Sequence, residues 1–381
     1  MGTKFCGCCN NNKNNAESEI NFGPPPEPQN SKNNSMFNEN LESNLSINDK
    51  WYEFQKNFEA KLPELGEYIS KEQFREKIPK KVLSYMNKNE FKIPDDINTN
   101  KEVYLMNPIK FKNDDIYEGN WNKNIIKDGK GLYYKENEKI FIEGIWDEGV
   151  LIYGRIYYPN NDIYEGYISD FNSHGKGKLI YENGDIYEGD FVNGEMEGKG
   201  KIIFKDNTIY EGNFSKSKIN GYGIMKWIAD KISITYEGEF SEALLNNYGK
   251  LTNNDGEQYE GNFKNNFFNG KGKYTFEDGS TYEGDFESGI RSGKGIYNKK
   301  DEFNYDGSWA DDYPHGTGTF TKGNIIIKGT WCHSENAEIS SIEGAQTNDF
   351  NKDILNFNIP NINLIPDRLP HLGKVKNNKK I

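Results

Sequence analysis

A three-residue motif, Tyr-Glu-Gly, recurs at a nearly fixed interval through most of this 381-residue chain. Ten motif glycines follow one another at steps of 22 to 26 residues, from position 119 to position 329. A repeat of this length is typical of an array built from one supersecondary unit, and it argues against a globular enzyme with a central pocket. Seven copies are exact, with tyrosine and glycine at Tyr117 and Gly119, Tyr164 and Gly166, Tyr187 and Gly189, Tyr210 and Gly212, Tyr236 and Gly238, Tyr259 and Gly261, and Tyr282 and Gly284. Looser copies lie at 142–144, 305–307 and 327–329.

One copy, residues 182–204, indicates what each repeat builds. Side chains alternate between the two faces of a strand, so Tyr187, Gly189 and Phe191 share one face and the acidic residues between them share the other. The return strand places Gly198 and Gly200 on one face, with lysines opposite. A residue without Cβ lets a neighbouring ring lie over the backbone, and Asn-Gly pairs favour tight hairpin turns. We therefore predict a β-hairpin with an aromatic and glycine face and a Glu/Lys face, on which Glu–Lys pairs form within each hairpin.

The pattern Tyr-Glu-Gly-x-Phe, then Gly-x-Gly, then Asp-Gly, at about 23 residues, resembles the MORN repeat (membrane occupation and recognition nexus). The resemblance implies a mainly β fold: an elongated, single-layer antiparallel sheet of about ten hairpins. Proteins that resemble this one act as scaffolds at membranes, the cell cortex, cilia or cytoskeletal structures. In some of them the array precedes a lipid kinase or a histone methyltransferase domain. Neither domain is expected here, since 49 residues follow the array.

We predict four segments. Residues 1–47 are rich in Asn, Pro, Ser and Glu and are expected to form a disordered tether. Residues 48–98 are expected to be helical, residues 108–332 to form the repeat array, and residues 333–381 to be an irregular tail with a basic end.

Two helices are expected before the array. The first carries aromatic residues at three- and four-residue steps, and the second begins at Ser70 with Gln73 in capping-box position. Pro79 falls inside the second helix, where a proline is unfavourable. Three alternatives stay open: the helices cover the aromatic face, the tail covers it, or the face remains an open groove for a partner. The helices could also cap one end of the array.

The N-terminus, Met-Gly-Thr-Lys-Phe-Cys-Gly-Cys-Cys, predicts lipidation. Gly2 is the acceptor for N-myristoylation, for which Cys6 is a weaker substitute for the usual Ser or Thr. One myristoyl chain binds membranes only marginally, so we predict S-palmitoylation of Cys6, Cys8 and Cys9 as the second signal. A zinc site is disfavoured, because no histidine or second cysteine pair has ligand spacing.

Charge and composition restrict the partners. The net charge is −12, and residues 114–332 alone hold 37 acidic against 25 basic residues, which also gives −12. Such an array is not expected to bind nucleic acid. No apolar stretch is long enough to span a membrane, and no signal-peptide core is present. The glycine-rich strings lack the phosphate-loop pattern. The cysteines form no disulfide framework.

No catalytic or metal-binding constellation is predicted. The repeat glutamates are expected to form ion pairs with lysines, and His174 and His315 occupy a slot that holds assorted polar residues in other copies. We therefore expect no enzyme activity, cofactor or metal. The leading hypothesis is a non-enzymatic scaffold or adaptor, anchored by acyl chains at a cytoplasmic membrane face, cortex or cilium, that holds protein partners and could self-associate. The alternatives are a phosphoinositide-binding module and a regulatory subunit of a lipid kinase.

Overall fold

The computed structural model describes residues 47–229, 232–332, 336–344, 359–364, 366 and 369. Of a first unit, Met1–Lys50, only residues 47–50 are described, and the remaining described residues belong to a second compact unit, Trp51–Ile381. The array is one long antiparallel sheet, as predicted.

Three helices precede the array. They are α1 (Ile47–Leu65), α2 (Lys71–Lys77) and α3 (Lys80–Lys88). At the start of α2, the Ser70 hydroxyl accepts from the Gln73 amide at 3.1 Å and the Gln73 side chain accepts from the Ser70 amide at 2.8 Å. These bonds form the capping box that the sequence predicts. The single second helix of the prediction is wrong, because Pro79 separates α2 from α3.

The sheet has 23 strands among the described residues. Three short strands lie at its first edge, β1 (Gly66–Tyr68), β2 (Tyr104–Leu105) and β3 (Ile109–Phe111). Ten hairpins follow: β4 (Ile116–Trp121) and β5 (Lys127–Lys135), β6 (Ile140–Asp147) and β7 (Val150–Tyr157), β8 (Ile163–Ser169) and β9 (Asn172–Ile180), β10 (Ile186–Val192) and β11 (Glu195–Ile203), β12 (Ile209–Ser215) and β13 (Lys218–Ala229), β14 (Ile232–Ser241) and β15 (Leu244–Asn253), β16 (Gln258–Lys264) and β17 (Phe267–Thr275), β18 (Thr281–Glu287) and β19 (Ile290–Lys299), β20 (Phe303–Ala310) and β21 (Tyr313–Lys322), and β22 (Ile325–Cys332) and β23 (Asn336–Glu343).

The sheet extends past the predicted array of residues 108–332 at both ends. β1 pairs with β3 and β2 pairs with β4, although both lie in or near the predicted helical segment. At the other end β23, in the predicted irregular tail, pairs with β22. These pairings satisfy backbone groups that an unpaired edge strand would leave open.

Tight two-residue turns close the eight hairpins from β6–β7 to β20–β21. At Asn193 and Gly194 both residues have positive φ, +50° and +87°, as a type I′ turn requires. Asp170 and Phe171 adopt the same conformation, φ +50° and +62°, without a glycine. The hairpin geometry is therefore kept even where the sequence lacks a turn-forming pair.

A continuous row of paired glycines crosses the sheet from β4 to β22. Gly189 of β10, for example, lies opposite Gly177 of β9 and Gly200 of β11. The second glycine of each Gly-x-Gly is the one in this row. The first has positive φ, +75° at Gly198, and lies where the register shifts by a β-bulge.

The two glycines therefore have different roles: the second lies in the glycine row and the first lies at the bulge. This corrects the expectation that both serve ring stacking. Copies two and six of the motif lack only the first glycine. In copy six Asn247 takes its place with φ +55°, while Gly249 stays in the row. Asparagine tolerates this left-handed conformation better than most residues. The row glycine is thus the strict requirement and the bulge glycine is replaceable.

Candidate functional site

The predicted acylation residues Gly2, Cys6, Cys8 and Cys9 lie outside the described residues. The predicted motif tyrosines and glycines are all described, and they form the aromatic face of the sheet.

On the aromatic face each motif tyrosine lies over the glycine row. A Cβ added to Gly200 would lie 2.4 Å from the ring of Tyr187, and one added to Gly189 would lie 2.3 Å from its hydroxyl. The Tyr187 hydroxyl donates to the Asp190 carbonyl at 3.0 Å. The equivalent bond to the carbonyl three residues later is made at 2.5–3.2 Å by Tyr117, Tyr164, Tyr210, Tyr236, Tyr259, Tyr282 and Tyr305.

The rings also contact one another from repeat to repeat. Tyr187 meets Phe191 of its own hairpin edge-to-face at 5.1 Å and Phe214 of the next hairpin at 4.9 Å. Edge-to-face contacts of this kind continue from Tyr164 to Trp331. Each such pair adds roughly 0.5–1.5 kcal/mol beyond burial. The contacts therefore couple neighbouring hairpins.

The aromatic face is closed rather than an open groove. The eight motif tyrosines from Tyr117 to Tyr305 are at most 1% exposed, and burial raises the pKa of their hydroxyls. Phe58 of α1 packs edge-to-face on Trp121 at 5.1 Å, at the first hairpin. Farther along, the amides of Asn363 and Leu364 donate to the Tyr274 hydroxyl at 3.3 Å. Thus α1 and the tail each cover part of this face.

The opposite face carries the charges, and it is called the charged face below. Here Lys178 of β9 pairs with Glu188 of β10 at 2.7 Å, and Lys176 pairs with Asp190 at 2.6 Å. These partners belong to different repeats, and the Lys271–Asp285 pair at 2.8 Å has the same arrangement. In these repeats the expected Glu–Lys pairs therefore link adjacent hairpins, whereas Lys328 and Glu343 pair at 3.3 Å within the hairpin β22–β23. Pairs between hairpins are possible because each return strand is hydrogen-bonded to the next repeat as well as to its own.

Helices α2 and α3 lie on the charged face of the first repeats, not on the aromatic face. Phe74 and Ile78 are buried there against Ile116, Tyr134 and Phe141. A cleft of about 740 Å³ lies beside the segment that follows α3. No pattern in the sequence indicates this cleft.

Arg155 closes one side of the cleft. Its guanidinium donates to the carbonyls of Asn89 and Glu90 at 2.7 and 2.6 Å and to the Glu165 carboxylate at 2.7 Å. Arg155 is only 3% exposed. Arg155 therefore holds the segment after α3 against the sheet. In the sequence it stands at the repeat position where other copies carry a lysine (178, 201, 250 and 273), and this difference is a signal that could have pointed to its role.

Two cations lie on the aromatic face, Arg291, which is 1% exposed, and Lys127, which is partly buried. The Lys127 ammonium is 4.4–5.2 Å from the ring centroids of Phe111, Tyr117 and Tyr133. Burial lowers the pKa of Lys127 to about 8, and Asp115 opposes this shift. The site is packed with rings and is built as a cation–π contact.

The described residues contain no group of three or more His, Cys, Asp or Glu side chains that could hold a metal ion. Within the same residues, no helix has the length and apolar character needed to cross a membrane. His174 and His315 lie in strands β9 and β21, each directly before a bulge glycine.

Comparison with known proteins identifies the repeats. The family model of the MORN repeat matches residues 117–138, 164–186, 187–209, 210–228, 236–258, 259–281, 282–301 and 305–324. The structure has ten hairpins, and the two without a match, β6–β7 and β22–β23, carry Ile142 and Ile327 in place of the motif tyrosine. No curated protein matches the chain.

Solved structures give weak similarities. The TCP10 domain of Danio rerio CPAP, in complex with a peptide of Danio rerio STIL, is 13% identical, covers 47% of this chain and 77% of its own, and has a TM-score of 0.30. The Drosophila melanogaster SAS-4 TCP domain, in complex with a proline-rich motif of Ana2, is 14% identical with 45% and 86% coverage and a TM-score of 0.24. These TM-scores are low, so no inference about function rests on them.

Proposed function

We propose that this MORN-repeat protein is a non-enzymatic scaffold, held by N-terminal acyl chains at the cytoplasmic face of a membrane, whose charged face holds a protein partner. The observation that carries the proposal is the contrast between the two faces. The aromatic face is closed by its own rings, whereas most of the charged face is exposed beyond the area that α2 and α3 cover. An extended surface of this kind suits partner binding better than it suits chemistry on a small substrate.

The membrane anchor is supported by the N-terminal sequence. Gly2 and the three nearby cysteines offer two acylation signals, and two signals are what stable anchoring needs. The array itself is acidic, so it is repelled by anionic lipid headgroups. Attachment is therefore assigned to the acyl chains.

The test uses the full chain expressed in animal cells, as wild type, as Gly2→Ala, and as Cys6→Ser/Cys8→Ser/Cys9→Ser. Intact-mass spectrometry should find one myristoyl and at least one palmitoyl mass on the wild type. Most of the wild-type chain should pellet with membranes, whereas most of each variant should become soluble. The matched control is Gly7→Ala, which changes a glycine in the same segment and should stay membrane-bound.

Two results would count against the anchor. Membrane pelleting of Gly2→Ala at the wild-type level would remove the acyl anchor from the proposal. Pelleting of the unacylated chain with phosphatidylcholine vesicles that contain phosphoinositide, but not with phosphatidylcholine alone, would favour the headgroup-binding alternative. That alternative lacks structural support at the lysines 176, 178 and 271, whose ammonium groups already pair with carboxylates.

A further inference from the structure

One cross-strand row of the charged face alternates in sign. Reading across the sheet, Glu188, Lys201, Glu211 and then, farther along, Lys250 and Glu260 stand opposite one another in successive strands. At three places the basic residue between two carboxylates is replaced by an apolar one. These triplets are Glu118–Leu132–Glu143, Glu211–Ile224–Glu237 and Glu283–Ile296–Asp306, called the first, second and third triplet.

The first triplet is covered by the chain's own helix α2. The Lys71 ammonium lies 3.6 Å from the Glu118 carboxylate. Leu132 packs against the cluster that Phe74 and Ile78 form with the sheet. Burial raises the pKa of Glu118, and Lys71 and Arg75 oppose this shift. Within this chain, a Glu–apolar–Glu triplet is thus covered by a basic, amphipathic helix.

No described helix covers the second triplet. Glu211 and Glu237 are exposed, and Glu211 makes no ion pair with a described residue. Two tyrosines stand beside the triplet on the same face, Tyr222 at 45% and Tyr248 at 58% exposure. The Tyr222 hydroxyl donates to the Glu237 carboxylate at 2.5 Å. The two carboxylates have no basic residue between them, and exposed aromatic area lies next to them. Such a surface is typical of a protein-binding site.

We infer that the second triplet, together with Tyr222 and Tyr248, is the docking site for an amphipathic helix of a partner protein that carries Lys or Arg beside an apolar stripe. The inference rests on the proposed function, for which it names the class of partner. The apolar stripe covers Ile224 and the tyrosine rings. The basic side chains pair with Glu211 and Glu237, which lie two strands apart, or about 10 Å. The second triplet is chosen over the third because its tyrosines add apolar area.

The probe is a fluorescein-labelled peptide with the sequence of residues 69–90, which spans α2 and α3. It is titrated with unacylated full-length protein, and binding is followed by fluorescence anisotropy. We expect saturable binding. The same peptide with Lys71→Glu and Lys77→Glu should not bind.

The site is located with two variants of the protein. Ile224→Lys introduces the basic residue of other repeats and should weaken binding about tenfold, because it places a positive charge between the two glutamates and removes the apolar contact. Thr319→Lys is the matched control, since it adds the same charge in the same row away from the second triplet. It should change the affinity less than about twofold. Glu211→Gln keeps the side-chain volume but removes one negative charge. It should therefore also weaken binding.

Three outcomes overturn the inference. They are the absence of saturable binding, equal losses in Ile224→Lys and Thr319→Lys, and an unchanged affinity in Ile224→Lys. The last outcome would mean that the probe replaces α2 at the first triplet or binds at the third. Because the assay contains no membrane, its failure leaves the acyl anchor standing, and failure of the anchor leaves this result unchanged.

Discussion

On the aromatic face the same contacts recur from repeat to repeat, whereas on the charged face the residues change from one repeat to the next. Tyr187 and Tyr236 each lie over two row glycines, donate to a carbonyl three residues later and contact two neighbouring rings. On the charged face, one position is Lys201 in one repeat and Ile224 in the next. The comparison teaches that the first face builds the array and that the second is where repeats differ in what they can bind.

The largest expected effect comes from removing one ring of the aromatic face. Tyr236→Ala leaves a cavity between two hairpins and should lower the free energy of unfolding by about 3–5 kcal/mol. Glu237→Gln changes the adjacent residue on the charged face and should cost less than about 0.5 kcal/mol. Urea unfolding followed by circular dichroism measures both. Similar losses in the two variants would break the comparison between the faces.

The two glycines of one Gly-x-Gly sharpen the comparison. Gly200→Ala forces a Cβ to 2.4 Å from the Tyr187 ring, and such overpacking should cost about 1–3 kcal/mol. Gly198→Ala should cost about 1 kcal/mol, because alanine resists the positive φ. Gly198→Asn should recover part of that loss and Gly200→Asn should recover none. The measurement is the urea midpoint of the four variants, and recovery by Gly200→Asn would contradict the assignment of the row.

The smallest expected effect comes from a pH-dependent ion pair between Asp278, in the turn after β17, and Lys299, the last residue of β19. Lys299 donates to the Asp278 carboxylate at 2.6 Å, and this bond, with those from Ser280, lowers the pKa of Asp278 to about 2. A lowered carboxyl pKa stabilises the fold above the unfolded pKa of 3.8 and loses that contribution as the pH falls toward 2. At pH 6, Asp278→Asn should therefore lower the free energy of unfolding by less than about 1 kcal/mol, because the pair is partly exposed. The Tm should fall slightly as a result. The Tm difference between variant and wild type should narrow from pH 4 to pH 2, and a constant difference would exclude the linkage.

The hairpins could be predicted from the sequence because their causes lie within one repeat. Alternation places Tyr187 and Phe191 on one face, and Asn193-Gly194 favours the turn that the structure contains. The separate roles of Gly198 and Gly200 could not be predicted in this way, since they depend on a bulge in the pairing. The ion pairs between hairpins likewise depend on the register of neighbouring repeats.

The candidate site was less accessible from the sequence. Nothing local assigns α2 to the charged face, because its packing joins Phe74 to Phe141, which is 67 positions later. A signal for the triplets was present, however. When the repeats are aligned on the row glycine of the return strand, Leu132, Ile224 and Ile296 stand directly after it, where five other copies carry Arg or Lys.

The unbroken glycine row also gives the molecule a unit of length. Because every strand from β4 to β22 keeps its place in the row, each hairpin advances the sheet by about 10 Å. The middle residues of the three triplets lie on β5, β13 and β19, eight and six strands apart, which corresponds to about 38 and 29 Å along the sheet. The number of repeats thus sets the distance between two helices bound at different triplets. The gain or loss of one repeat between them would change that distance by about 10 Å.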